Sequence, residues 1–261
     1  MSDLFRLDGR VAFVSGASGQ LGREMSRALC GAGAHVILNG RDDARLKEFE
    51  GELRGEGFSV DRAAFDVADF PRLRKFFGNL GRLDVLVNNA ISMTPKPFSR
   101  LEPADFEHAY ASSVTAAFEA VRSARPALAR AAQSSGHASV VNIASMYATV
   151  SPDSRIYTEP EQASPFHYGP AKAALLQLTR HLAAELGPQG IRVNALVPGP
   201  FPKAQTVAQD DGFAARLAAR TMLGRTAAPS EIRGPLLFLA GNASSFVTGA
   251  ALAIDGGWTA W

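Results

Sequence analysis

The chain has 261 residues, of which 46% are hydrophobic and 20% charged, and we expect a single domain over 1–261. The formal charge of +2 comes from scattered basic residues, so no nucleic-acid partner is expected. The single cysteine and the dispersed histidines predict neither a disulfide nor a metal site. The opening residues lack a signal-peptide pattern and no apolar run is long enough to span a bilayer, so we expect a cytoplasmic protein without a membrane partner.

Seven apolar runs, separated by segments with helical periodicity, predict buried strands. In chain order they are VAFVSG (11–16), AHVILNG (34–40), SVDRAAFDV (59–67), LDVLVNNA (83–90), ASVVNIAS (138–145), IRVNALVPG (191–199) and ALAIDGG (251–257). Each run is continuous rather than alternating, which is typical of parallel strands covered on both faces. The sequence therefore predicts an α/β fold: a doubly wound Rossmann fold with a seven-stranded parallel sheet and helices on both faces.

Two segments rich in proline, serine and polar residues interrupt this pattern, at 146–167 and 200–212. Their composition predicts loops, and loops on a rigid scaffold often carry binding residues. We expect the first to be a substrate loop and the second to be another active-site loop.

The stretch SGASGQLGRE follows the first predicted strand and opens a helix. Backbone N–H groups and the helix dipole at such a turn can hold the pyrophosphate of a dinucleotide. Gly16, Gly19 and Gly22 can supply the tight turn, the close approach to a phosphate and the helix packing. A glycine triplet also occurs in ordinary strand-to-helix turns, but its place at the first crossover favours dinucleotide binding.

The stretch LNGRDD after the second predicted strand bears on the choice of dinucleotide. An NAD-specific site places an acidic residue here to bond the ribose 2′-hydroxyl, whereas Arg41 can pair with a 2′-phosphate. NADP is therefore expected in preference to NAD. The alternative is that Arg41 faces solvent and that Asp42 or Asp43 reaches the ribose.

The stretch HYGPAK places Tyr168 and Lys172 four positions apart, on one face of a helix. A nearby ammonium lowers the pKa of a tyrosine from about 10 and makes the phenol usable as an acid and a base at neutral pH. Such a pair is common by chance. Ser145 strengthens the interpretation, because it ends the fifth predicted strand, where it can hold a substrate oxygen beside Tyr168.

Together these motifs resemble the short-chain dehydrogenase/reductase family. The matching pieces are VAFVSGASGQLG, FDV (65–67), LDVLVNNA, VVNIAS, YGPAK, IRVNALVPGP and the long closing stretch from LGRTAAP to IDGG. The resemblance covers nearly the whole chain, and ILNGRDDARL is similar to gluconate 5-dehydrogenase-like members that act on sugar acids.

The resemblance implies site residues. Tyr168 would be the catalytic acid and base, Lys172 would tune it and bind the nicotinamide ribose, Ser145 would orient the substrate, and Ser113 would occupy the position of a catalytic asparagine. The implied cofactor-binding set is Gly16, Ser18, Gly19, Gln20, Leu21, Gly22, Arg41, Asp66, Val67, Asn89, Ala90, Tyr168, Lys172, Pro198, Gly199 and Phe201. The resemblance also implies a homo-oligomer, either a tetramer or a dimer.

Four positions depart from the family pattern. Gln20 stands where the middle glycine of T-G-x-x-x-G-x-G belongs, so we expect Gly19 to provide the close phosphate approach. Ser113 replaces an asparagine that holds a water in the proton relay, so either Ser113 substitutes for it or the relay differs. Ile91 replaces a glycine and is expected to narrow the pocket. Lys203 replaces a threonine near the cofactor and can meet an anionic group.

Ser145 and Tyr168 are 23 positions apart, further than in compact members of the family, so extra residues enter beside the substrate. The segment carries Asp153, Arg155, Glu159 and Glu161, with His167 directly before the tyrosine. Such groups suit the hydroxyls or the carboxylate of a sugar-like substrate. An outward loop that makes subunit contacts is an equally open alternative.

The function predicted is an NAD(P)-dependent oxidoreductase that interconverts a secondary alcohol and a ketone, with a small polar molecule as substrate. One alternative is a catalytically impaired dinucleotide-binding regulatory protein, because Gln20, Ile91 and Ser113 depart from the family pattern. Another is an epimerase or dehydratase that uses the cofactor transiently, which only the spacing of the glycines suggests.

Overall fold

The computed structural model describes residues 3–93, 95–159, 163–210 and 212–261. Its strands are β1 (Val11–Val14), β2 (His35–Gly40), β3 (Val60–Ala64), β4 (Val85–Asn88), β5 (Ala138–Ile143), β6 (Ile191–Pro198) and β7 (Ala251–Ile254). Its α-helices are α1 (Gln20–Gly31), α2 (Asp43–Gly55), α3 (Phe70–Gly78), α4 (Pro103–Tyr110), α5 (Ala116–Ser135), α6 (Tyr168–Leu186), α7 (Ala204–Gln209), α8 (Phe213–Ala218) and α9 (Arg233–Ala240). A π-helical turn, Ala111–Thr115, joins α4 to α5.

All seven strands lie in one parallel sheet in the order β3-β2-β1-β4-β5-β6-β7. The predicted doubly wound fold is therefore confirmed. The chain moves outward from β1 to β3 on one side and from β4 to β7 on the other, so the order reverses between β1 and β4. Ligands bind in folds of this kind at the carboxyl ends of the strands beside that reversal.

Apolar side chains cover both faces of the sheet. On one face Met25 and Leu29 of α1 pack with Phe49 of α2 and Leu236 of α9. On the other face Phe13 of β1 packs with side chains of α3, α5 and α6, and its ring lies 4.9 Å from that of Phe77 in an edge-on arrangement. The two layers hold the strand ends in fixed positions, and these ends carry the site.

The outer strands differ from the prediction that every strand is covered on both faces. β4, β5 and β6 are buried throughout, but Asp61 and Arg62 of β3 are exposed, and β7 alternates exposed and half-buried side chains. That prediction is wrong at the edges, because helices cover an outer strand less completely than a central one. The strands are also shorter than the predicted runs, since glycine and polar residues of those runs turn out of the sheet at its carboxyl edge.

The two predicted loops contain short regular elements. The first forms 3-10 turns at Met146–Ala148 and Ser154–Ile156. The second contains α7, so the prediction of a loop over all of 200–212 is wrong for Ala204–Gln209. Proline and serine content marked both segments as irregular but did not reveal helices of one or two turns.

Candidate active site

A cavity of about 620 Å³ opens at the carboxyl ends of β1 and β4. It brings together every residue of the predicted cofactor-binding and catalytic sets except Ser113. These residues are Gly16, Ser18, Gly19, Gln20, Leu21, Gly22, Arg41, Asp66, Val67, Asn89, Ala90, Ser145, Tyr168, Lys172, Pro198, Gly199 and Phe201. Residues that are separated along the chain thus form one site.

The turn between β1 and α1 is packed too closely for side chains at two positions. Gly16 has φ +64°, in the left-handed region that favours glycine. A Cβ atom on Gly22 would lie 2.0 Å from the carbonyl oxygen of Gly16. Gly19 caps α1 without a side-chain acceptor, and the first turn of the helix holds no acidic residue. Free N–H groups at this helix end fit the phosphates of a dinucleotide.

Asn89, the residue after β4, supports the same turn. Its side-chain amide donates to the carbonyl oxygens of Ser15 at 2.9 Å and of Gly16 at 3.2 Å. Its backbone N–H donates to the Ser15 hydroxyl at 2.9 Å. The asparagine therefore holds the glycine turn in place as well as lining the cavity.

Arg41 lies at the far end of the cavity, with 61% of its side chain exposed. Its Nη1 donates to the Ser92 hydroxyl at 3.2 Å and lies 3.7 Å from a carboxylate oxygen of Asp66. Ser18 is close by, since a Cβ atom on the neighbouring Gly40 would lie 3.5 Å from its hydroxyl. This end of the cavity is open and rich in hydrogen-bond donors.

The two aspartates after Arg41 have other partners. The Asp42 carboxylate accepts from the backbone N–H of Arg45 at 3.0 Å and caps α2. Asp43 is paired with Arg62 of β3. Both carboxylates therefore already have a partner, although each keeps lone pairs with which it can accept from a ribose hydroxyl.

The cavity also contains Ile91 and Lys203, which the sequence analysis expects beside the cofactor, and Asp42, its alternative ribose ligand. The sequence analysis did not find the other lining residues, which are Asn39, Gly40, Arg45, Phe65, Ser92, Met93, Ser112, Ile143 and Ala144. Arg45 lies in the first turn of α2, just after the LNGRDD stretch, and that position could have indicated it. Ser92 has no comparable signal in the sequence, because its place depends on Ser112, whose hydroxyl accepts from the Ser92 backbone N–H at 3.0 Å.

Ser145, Tyr168 and Lys172 meet at the opposite end of the cavity. Ser145 follows β5, and its hydroxyl accepts from the Tyr147 backbone N–H at 3.2 Å. Tyr168 is the first residue of α6 and Lys172 lies one turn later. The Lys172 ammonium donates to the carbonyl oxygen of Ile143 at 2.6 Å and lies 5.8 Å from the centre of the Tyr168 ring.

Burial is the main cause of the pKa shifts of Tyr168 and Lys172 at this end of the cavity. Burial raises the pKa of Tyr168, and the neighbouring Ser145 side chain acts in the opposite direction. Burial also lowers the pKa of Lys172 to about 8. The net shift is therefore opposite to the predicted lowering, because burial disfavours the charged phenolate.

A buried chain of polar side chains fixes α6 relative to the sheet. The Asn88 amide donates to Asn142 at 2.8 Å, and the Asn142 amide donates to the Thr179 hydroxyl at 2.9 Å. These residues belong to β4, β5 and α6 respectively. This hydrogen-bond network sets where Tyr168 and Lys172 of α6 lie relative to the strand ends.

Ser113 is the predicted site residue that the structure does not bring into the cavity. It lies in the π-helical turn, is buried, and lines a separate small space beside Phe13 and Asn88. Its neighbour Ser112 lines the main cavity instead. A π-helical turn changes the angle between successive residues, which spacing along the chain does not reveal.

The described residues of the segment 146–167 contact Asp210 and the helix α8. The Arg216 guanidinium on α8 donates to the carbonyl oxygen of Ile156 at 2.6 Å. The Thr158 hydroxyl donates to Asp210 at 3.2 Å. The hydroxyls of Tyr147 and Tyr157 lie 3.0 Å apart. The described part of the longer segment therefore packs onto its own chain.

The polar residues predicted for the longer segment have different surroundings. Asp153 pairs with Arg155 at 2.8 Å and lies 3.7 Å from Arg220. Glu159 is exposed, and Glu161 lies outside the described residues. His167 is 1% exposed and precedes α6 as its cap residue, without a side-chain bond to the helix.

Metal-binding groups, membrane-spanning helices and the single cysteine were considered for the described part of the chain. It contains no group of three or more His, Cys, Asp and Glu side chains placed to hold a metal ion, and none of its helices is long and apolar enough to cross a membrane. Cys30 is buried in α1, and burial raises the pKa of its thiol to about 12. This thiol is therefore protonated and unreactive at neutral pH.

Comparison with known proteins gives consistent matches over the whole chain. A family model described as enoyl-(acyl carrier protein) reductase matches residues 16–259. Galactitol 2-dehydrogenase (L-tagatose-forming) from Cereibacter sphaeroides is 36% identical over 99% of this chain and 98% of that protein. Gluconate 5-dehydrogenase from Gluconobacter oxydans (strain 621H) is 32% identical over 98% of this chain and 97% of that protein.

Solved structures agree. The crystal structure of a gluconate 5-dehydrogenase from Burkholderia cenocepacia J2315, in complex with NADP and tartrate, matches with a TM-score of 0.86 and 30% identity over 99% of this chain and 98% of that one. The fold and the cavity define the class of NAD(P)-dependent oxidoreductases that act on alcohols and ketones. Within that class, the chain belongs to the short-chain dehydrogenase/reductase family.

Proposed function

We propose that the protein is an NADP-preferring reductase or dehydrogenase that interconverts a secondary alcohol and a ketone on a small polyhydroxylated molecule. One observation carries the proposal: Ser145, Tyr168 and Lys172 line the same cavity as the glycine turn at the start of α1. A proton-transfer group and a phosphate-binding turn at opposite ends of one cavity are what a nicotinamide-dependent reaction needs.

The bound nicotinamide supplies or accepts the hydride. In reduction, Tyr168 donates its proton to the substrate oxygen, and in oxidation its phenolate takes the proton back. Burial raises the pKa of Tyr168 above its ordinary value, so the phenol is protonated at neutral pH and can act as the proton donor. Lys172 stabilises the phenolate that forms, and the Ser145 hydroxyl orients the substrate oxygen.

The preference for NADP rests on the charges at the open end of the cavity. The Arg41 guanidinium is exposed there, and Arg45 lines the same region. Asp42 and Asp43 are engaged in the α2 cap and the pair with Arg62. Asp66 is the carboxylate nearest to Arg41 among the described residues and also accepts from the backbone N–H of Ala68 at 2.9 Å. Two guanidinium groups thus line this end of the cavity, and each nearby carboxylate already has a donor partner, which suits a 2′-phosphate.

The preference for a polar substrate rests on the side chains next to the reaction centre. Tyr147 and Tyr157 pack beside Met146 and Ile156 with their hydroxyls 3.0 Å apart. Tyr157 is also near enough to Tyr168 to raise the pKa of that phenol. The relatives named above act on gluconate and galactitol, both polyhydroxylated. Hydroxyl groups on the protein pair well with hydroxyl groups on a substrate.

A substrate screen tests the proposal. Polyols, sugar acids and small ketones are each incubated with NADP(H) or NAD(H), and the absorbance of the reduced nicotinamide is followed. We expect turnover with at least one polyhydroxylated compound and a higher kcat/KM with the phosphorylated dinucleotide. Binding of both dinucleotides without turnover across the panel would favour a regulatory protein, and turnover without a net absorbance change would favour an epimerase or dehydratase.

We also propose that the protein forms a dimer or tetramer. Large apolar side chains are exposed on several elements, including Phe118 at 43% and Trp261 at 71%. Exposed aromatic residues are frequent at subunit interfaces. Sedimentation equilibrium measures the mass directly, and a monomer at micromolar concentration would contradict this proposal.

A further inference from the structure

Gln20 makes a connection across the cavity. It is the first residue of α1, directly after the cap residue Gly19, at the position where the family pattern has a glycine. Its side-chain amide nitrogen donates to the carbonyl oxygens of Phe201 at 3.4 Å and of Pro202 at 3.2 Å. A glycine at this position has no side chain with which to make either bond.

The two bonds from Gln20 reach the segment that follows β6. The start of this segment is also held by backbone bonds to Ile254 of β7 and to Ala227. Gly199 donates its N–H to the carbonyl oxygen of Ile254 at 3.2 Å, and Pro200 accepts from the N–H of Ala227 at 3.0 Å. Beyond these contacts, the chain continues through 201–203 to the start of α7. Gln20 thus joins the phosphate-binding turn to the part of this segment that leaves the sheet.

Lys203 comes next in the chain. It is exposed, lines the same cavity as Gln20 and precedes α7. An ammonium at this place can pair with the phosphates that the α1 turn is suited to hold. The path of 201–202 sets the direction in which the Lys203 side chain leaves the backbone.

We propose that Gln20 is a positioning residue that holds 201–203 against the phosphate-binding turn before any dinucleotide binds, and so directs Lys203 towards the phosphates. This inference rests on the proposed dinucleotide site. If 201–203 is already held in place, less conformational entropy is lost when the dinucleotide binds. A dinucleotide therefore binds more tightly than it would if Gln20 were replaced by a residue without a side-chain donor.

Limited proteolysis tests the first half of the proposal without a cofactor. Trypsin cleaves after Lys203, and the rate at this bond is followed by mass spectrometry. We expect Gln20→Met, which keeps the side-chain length but removes the donor, to be cleaved two- to tenfold faster than the wild type, as the loss of neutral hydrogen bonds implies. Gln20→Ala is a second variant, and Gln133→Met on the exposed surface of α5 is the matched control. Equal cleavage rates in all four proteins would overturn the proposal.

Dinucleotide binding tests the second half. The Kd for NADPH is measured by nucleotide fluorescence for the wild type, Gln20→Met, Lys203→Ala and the double variant. We expect Gln20→Met to weaken binding about two- to tenfold, and to have a smaller effect when Lys203 is already absent. Tighter binding by Gln20→Met, or equal effects in both backgrounds, would overturn the proposal.

The two measurements separate this inference from the proposed function. If the wild type bound neither NADPH nor NADH, the proposed function would fail, while the cleavage rates in the cofactor-free proteins would still decide whether Gln20 holds the segment. If the wild type bound NADPH but cleavage and binding were unaffected by Gln20→Met, only the inference would fail.

Discussion

The two ends of the cavity differ in how much water reaches them. At the reaction end, Lys172 is 2% exposed and burial shifts the pKa of both Lys172 and Tyr168. At the phosphate end, 61% of the Arg41 side chain is exposed. Charges are costly and interact strongly when water is excluded, whereas solvent weakens them at the surface. Substitutions at the reaction end should therefore change rates or stability strongly, and those at the open end should change dinucleotide affinity.

The largest expected effect is that of Tyr168→Phe. Loss of a positioned acid and base should lower kcat about 10²- to 10⁴-fold, while the Kd for NADPH should change less than about threefold because the phosphate end is intact. Stopped-flow kinetics and nucleotide fluorescence measure the two quantities. Tyr110→Phe, which removes a 3.4 Å bond to the Pro170 carbonyl oxygen, is the control. Near wild-type kcat in Tyr168→Phe would remove this residue from the mechanism.

Lys172→Met should abolish turnover and stabilise the fold at pH 7. A pKa lowered from 10.5 to about 8 corresponds to a cost of about 3 kcal/mol for burying the charge, and the lost bond to Ile143 reduces the gain. The lowered pKa means that the unfolded state binds more protons between about pH 8 and 10.5. The wild type should therefore gain stability over that range.

Urea unfolding at pH 7 and pH 10 checks this prediction. The free energy of unfolding of Lys172→Met should exceed that of the wild type at pH 7, and the difference should shrink at pH 10. Lys75→Met on the exposed surface of α3 is the control and should show neither effect. A less stable Lys172→Met protein at pH 7 would mean that the ammonium is not desolvated in the cofactor-free fold.

Arg41→Ala tests whether the open end of the cavity selects NADPH over NADH. Loss of a charged hydrogen bond to the 2′-phosphate should weaken NADPH about 10- to 100-fold and leave NADH nearly unchanged. Calorimetric titration with both dinucleotides gives the ratio, and Arg180→Ala on the exposed face of α6 is the control. An equal loss of affinity for NADPH and NADH would contradict the proposed preference for NADP.

The smallest expected effect is that of Tyr157→Phe. It removes the 3.0 Å bond to the Tyr147 hydroxyl and should raise KM for a polyhydroxylated substrate about two- to tenfold, with kcat changed less. Steady-state kinetics with a polyol and with a small apolar ketone separate the two substrate types. If KM rose equally for both, the tyrosine pair would serve packing alone.

Much of the fold could be predicted because it depends on patterns within short windows. Continuous apolar runs indicated the seven strands, and the glycine spacing indicated the turn after β1. The predictions were wrong where burial or local structure depends on the elements packed nearby. The exposure of β3 and β7 follows from their place at the edges of the sheet, and α7 is too short for its composition to reveal it.

The candidate site divides in the same way. Strand ends and helix starts are local features, so the sequence was enough to predict which residues reach the carboxyl edge of the sheet. Ser145, Tyr168, Lys172, Arg41 and the glycines all line the cavity. The packing of distant segments, in contrast, is needed to see that Ser113 turns away from the main cavity and that Gln20 bonds Phe201 and Pro202. It also decided that burial raises the pKa of Tyr168. Hydrogen-bond partners and desolvation depend on segments far apart in the chain, and no local pattern encodes their meeting.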